Sequence, residues 1–104
     1  MGCAPRSGWV RTDQVCQPAD PPRVCFEADP DAPLTLRVGG ATLVPGECAE
    51  APKDRRAVLS AIVVDGRSGD EHRVRVGGGR GRTATVTARE DEGELDVEVR
   101  RSGC

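Results

Sequence analysis

The sequence predicts an all-β fold, a small antiparallel β-sandwich or barrel of six to seven strands, stapled by disulfides and opened by an irregular segment. Three observations lead there. From residue 34 onward apolar side chains alternate with polar ones at a period of two, without sustained helical spacing. Turn signals (Gly-Gly, Pro-Gly, Asp-Gly) punctuate that alternation at intervals of about ten residues, as in sandwiches and barrels. Finally, Leu, Ile, Val and Phe make up only 20 of 104 residues, aromatics are 2 %, and five cysteines accompany this lean core. A small domain that cannot bury enough apolar area typically adds disulfides.

The elements can be justified in order. Residues 1–22 are expected to be an irregular, proline-rich segment packed on a domain spanning 23–104, because six of the eight prolines fall in the first 33 residues. "RVCFEA" (23–28) reads as the first strand. "LTLRV" places Leu34, Leu36 and Val38 on one face and Thr35 and Arg37 on the other. "GG" and "ATLV" then make either a tight hairpin or one strand kinked at Gly39-Gly40. "RAVLSAIVVDG" is the longest apolar run, and its β-branched residues favour a central strand buried on both faces, with Val58, Ile62, Val63 and Val64 in the core. "EHRVRVGGGRGRTATVTARE" reads as two strands around a glycine-rich connection, Val74 and Val76 facing Ala84, Val86 and Ala88. "ELDVEVRR" closes the set with Leu95, Val97 and Val99 inward. Immunoglobulin-like and transthyretin-like arrangements both fit this pattern, although Trp9 precedes every candidate strand and the immunoglobulin cysteine and tryptophan spacing is absent.

The cysteines lie at 3, 16, 25, 48 and 104, with no C-x-x-C and a single histidine, His72, so disulfides in an oxidising compartment are favoured over a zinc site. About 15 pairings are open. The expected set is Cys16 with Cys25, closing a proline-stiffened loop, and Cys48 with Cys104, contributing about 2.7 and about 4 kcal/mol on the loop-entropy model. Cys3 is then left over. Its setting in "MGCAPR" is similar to the start of dually acylated proteins, but Arg6 stands where that motif takes Ser or Thr. It also resembles the cleavage site of bacterial lipoproteins, in which a small residue precedes a lipidated cysteine. That resemblance implies lipid attachment at Cys3.

Chemistry-bearing patterns are sparse. His72 sits beside Asp70 and Glu71 as a solvated residue, and Ser60 lies in no G-x-S-x-G elbow. "GGGRGR" fits neither phosphate-loop spacing and reads as a hairpin tip exposing Arg80 and Arg82. With Arg73, Arg75 and Arg89 these could form a basic face, but Glu90, Asp91, Glu92, Glu94, Asp96 and Glu98 follow and would neutralise it. Net charge −2 and almost no aromatics argue against nucleic acid. The stretch "CQPADPPRVC" resembles, over ten residues, the disulfide-closed reactive loop of Bowman-Birk protease inhibitors. It has one residue more before the closing cysteine, and Pro18 falls at the specificity position, so Arg23 would be the bait in a different register.

These readings converge on a non-enzymatic, extracytoplasmic protein-binding or structural module, an accessory of a cell-surface or secreted assembly. No cofactor and no metal are expected. The expected contacts are a protein partner or a second copy of the chain through Pro21, Pro22, Arg23, Arg80 and Arg82, with Cys3 as a membrane tether. Protease inhibition by the 16–25 loop is the alternative.

Overall fold

The computed structural model describes residues 10–11, 21–52 and 54–103, and among these every regular element is a strand. In chain order they are β1 (Val10–Arg11), β2 (Arg23–Ala28), β3 (Leu34–Val38), β4 (Ala41–Leu43), β5 (Cys48–Glu50), β6 (Ala57–Asp65), β7 (Glu71–Gly79), β8 (Arg82–Asp91) and β9 (Glu94–Gly103). They form two packed sheets, β1-β5-β2-β8-β9 (sheet A) and β4-β3-β6-β7 (sheet B). The two strands beyond the expected seven, β1 and β5, are two and three residues long.

Alternation decides what each strand buries. Val24 and Phe26 of β2, Leu34, Leu36 and Val38 of β3, and Ala84, Val86 and Ala88 of β8 are all essentially inaccessible. Sheet A offers small side chains around the single Phe26, while sheet B supplies Leu34, Leu36, Leu43 and Val63 from the opposite layer. Large against small lets two thin layers interdigitate at native density. Leu95, Val97 and Val99 on β9 and Val74 on β7 pack at the rim, half-covered.

Turn chemistry fixes the hairpins. Gly39 and Gly40 both take positive φ (57° and 99°), the signature of a two-residue type I′ turn, which makes 34–43 a hairpin and not a kinked strand. The β8–β9 hairpin is closed in the same way between Asp91 and Glu94, with Glu92 at φ 52° and Gly93 at φ 81°. Glu92 is the one non-glycine in that region among the described residues. In the β6–β7 turn the Asp65 carboxylate accepts backbone hydrogen bonds from Arg67 (2.8 Å) and Ser68 (3.4 Å). The Arg67 bond is the main cause that holds the Asp65 carboxyl below its usual value of 3.8.

Several expectations are corrected. Cys25 is bonded to Cys48, so neither the Cys16–Cys25 nor the Cys48–Cys104 pairing forms; Cys3, Cys16 and Cys104 lie outside the described residues. The reason is register: Cys25 and Cys48 are direct partners across antiparallel β2 and β5, a proximity that only the folded sheet creates. One pairing, β2 with β8, is parallel, because these strands are brought together from far apart in the chain and no hairpin dictates their direction. The strand β6 is covered on one face only. Val58 and Val63 are buried, but Ile62 and Val64 are half-exposed on the outer face, since each sheet of a two-layer sandwich has a single covered side. Finally β7 and β8 belong to different sheets, so Val76 and Ala84 meet across the core and Gly81 turns a corner between the layers.

Two measurements check this account. Replacing both Cys25 and Cys48 with Ser is expected to lower unfolding free energy by up to about 3.4 kcal/mol, the loop-entropy value for a separation of 23 residues; denaturant titration reads it. Asp65→Ala should destabilise at neutral pH. Because the folded carboxyl titrates below the unfolded one, Asp65 stabilises above that range, and the gap between variant and parent should shrink as the pH falls through it.

Candidate interaction surface

The outer face of sheet B is where the sequence leaves apolar and basic side chains together in solvent. Pairing registers build it row by row. Arg37 of β3, Ile62 of β6 and Arg73 of β7 stand side by side, and Ser60 opposite Arg75 forms the next row. Between Val58 and Ser60 the β6–β7 register shifts, as at a β-bulge. The irregularity lets two consecutive residues, Leu59 and Ser60, both face water, and Leu59 is 74 % exposed, the most exposed large apolar side chain among the described residues.

Basic side chains outnumber acidic ones on this face. The Arg37 guanidinium pairs with Glu71 at 3.1 Å, while Arg73 and Arg75 are exposed without an ion-pair partner among the described residues. A depression of about 500 Å³ lies between Arg37 and Arg73, floored by Gly39, Gly40, Ser60 and Ile62. It runs into a second, of about 250 Å³, bordered by Arg55, Ala57 and Leu59. Gly39 and Ser60 line both. Such a face is an amphipathic trough in which basic side chains outnumber acidic ones.

Another depression, about 670 Å³, opens at one end of the sandwich between Glu27, Asp29, Asp31, Arg67, Arg89 and Glu90. Its lining is of mixed charge. Among the described residues no group of three or more His, Cys, Asp or Glu side chains is placed to hold a metal ion. His72 is exposed on the edge strand β7, opposite Val63.

The residues expected to contact partners divide into two sets. Arg80 and Arg82 are exposed, flanking Gly81 at the corner between the sheets. Pro21, Pro22 and Arg23 are buried, which corrects the expectation that they form a presented loop. Arg23 is 7 % exposed and its guanidinium meets Glu50 at 3.3 Å across β2 and β5. With Cys25 bonded to Cys48 and Arg23 inside a strand, the bait position of the inhibitor reading is not available to a protease. The anticipated basic cluster also separates: Arg73 and Arg75 lie on sheet B, Arg82 and Arg89 on sheet A. Arg89 does stand opposite Asp96, as cross-strand neutralisation requires. Missed from sequence were Arg37 and Leu59. Arg37 carried a signal, its outward place in "LTLRV"; Leu59 did not, since a bulge cannot be read from apolar content.

No protein family, characterised protein or solved structure matched this chain when compared with it.

The salt bridge and the patch predict opposite responses. Glu50→Ala, which removes a carboxylate partner from the buried Arg23 guanidinium, should cost roughly 1–3 kcal/mol. Leu59→Ser should stay within about 0.5 kcal/mol of the parent, since Leu59 contributes little buried area; thermal or chemical unfolding compares the two.

Proposed function

We propose that this domain is a non-enzymatic protein-binding module, an accessory subunit of an extracytoplasmic assembly, and that the outer face of sheet B is its contact surface. The observation that carries this reading is Leu59, 74 % exposed and bordering, with Arg55, a depression that shares Gly39 and Ser60 with the one between Arg37 and Arg73. A large apolar side chain held in solvent by a bulge contributes nothing to the core, and rimmed by charge it has the make-up of a contact point. The Cys25–Cys48 disulfide is compatible with an oxidising, extracytoplasmic environment. Cys3 as a lipid tether would place the module at a membrane surface.

The test uses the protein in the cells that make it. The domain is expected in the extracytoplasmic fraction, in a complex larger than one chain, and Leu59→Asp should release it as a folded monomer while leaving its amount unchanged. Recovery from the cytosol with Cys25 and Cys48 reduced, or as a monomer with Leu59 intact, would overturn the reading.

A further inference from the structure

Six of the 17 acidic residues of this chain fall within nine consecutive positions. Glu90, Asp91, Glu92, Glu94, Asp96 and Glu98 all lie exposed on the β8–β9 hairpin, four of them at its tip. That hairpin belongs to sheet A, whereas the trough between Arg37 and Arg73 is on the outer face of sheet B, which points away from it. Within one chain the two cannot meet. Between chains they are complementary, and the near balance of 15 basic and 17 acidic residues leaves little net repulsion to oppose the approach.

We propose that the acidic β8–β9 tip of one chain seats in the Arg37–Arg73 trough of a second copy, joining chains head to tail. The proposal rests on the reading of this face as a contact surface and names its occupant.

Dimensions agree. A hairpin tip is two strands wide, about 5 Å between backbones, and the Arg37–Ile62–Arg73 row spans two strand spacings, about 10 Å. The floor under that row includes Gly39 and Gly40, which have no side chains to fill it. Arg73 and Arg75 then gain carboxylate partners that no described residue of their own chain gives them, and Leu59 is covered at the rim. A second observation singles out the tip. Glu92 occupies a left-handed position (φ 52°) where Gly or Asn would sit with less strain, in a type I′ turn whose neighbour Gly93 meets that preference. A carboxylate kept at a strained, fully exposed turn position points to a role outside the chain's own stability. Because tip and trough are different surfaces, the contact is heterologous and each added chain presents a fresh tip and a fresh trough.

Sedimentation velocity on the intact, disulfide-bonded protein tests this. In about 20 mM salt the mean mass should rise with concentration, and in about 500 mM salt self-association should weaken roughly tenfold or more, since these are exposed charges. A trough variant (Arg73→Glu with Arg75→Glu) and a tip variant (Glu92→Lys with Glu94→Lys) should each stay monomeric, with circular dichroism confirming that both remain folded. Mixed together, they should co-assemble into alternating chains, because the acidic tip of one fits the basic trough of the other and the Lys tip of the second fits the Glu trough of the first. A chain carrying all four substitutions should associate again, its charges exchanged. A parent that stays monomeric in low salt, association that persists in both variants, or a mixture that fails to pair would overturn the proposal. None of those results would bear on the release of the native complex by Leu59→Asp, so failure here is distinguishable from failure of the binding-module reading.

Discussion

The covalent link between Cys25 and Cys48 is the constraint on which sheet A depends. It joins β2, the middle strand, to β5, which has only three residues and too few ladder hydrogen bonds to hold its place alone. On the other side β2 runs parallel to β8 through six register pairs, Arg23 with Thr83 to Ala28 with Ala88. No tight turn connects these two strands, so the entropy of bringing them together is offset by what the pairing buries, chiefly Val24 and Phe26 against Ala84 and Val86. Bonding β5 to β2 on the solvent side leaves the inner side free for apolar packing. Arg23 and Glu50 then meet two pairs further along the same register.

With so few large apolar residues, the fold uses its polar side chains on the outside. Arg37 pairs with Glu71 across sheet B, and Arg89 stands opposite Asp96 on sheet A. Both long edge strands, β7 and β9, carry charges at most outward positions: Glu71, Arg73 and Arg75 on one, Asp96, Glu98 and Arg100 on the other. Charged edges discourage indiscriminate strand pairing. What association remains is then steered by sign and place.

Much of the architecture was legible because period-two alternation reports which face a residue lies on. It placed β2 at 23–28, put Leu34, Leu36 and Val38 inward, and found Ala84, Val86 and Ala88 on one face. Alternation does not report the partner strand. Nothing local distinguishes β7 pairing with β8 in one sheet from the two strands facing each other across the core, and nothing local makes β2 and β8 parallel. The sulfur pairing failed for the same reason: it follows from the register of β2 with β5, and β5 is a three-residue strand made by its neighbours and not by its own sequence, "CAE". Of the surface, Arg80 and Arg82 were correctly placed in solvent, while Arg23 was drawn inside by a carboxylate 27 positions away. Leu59 escaped notice because apolar residues in an apolar run are assumed to be inside.

The register shift between β6 and β7 ties surface to interior, because a single residue of β6, Leu59, lies against two of β7, Val76 and Gly77. Val58 lies inward on one side of it and Ala61 and Val63 on the other, an odd interval that strict alternation forbids. A β7 shortened by one residue at that point would restore a regular ladder, and the oily projection would be lost in the same stroke. Drift toward a tidier strand would therefore silence the surface, so the irregularity and whatever it serves can only be inherited together.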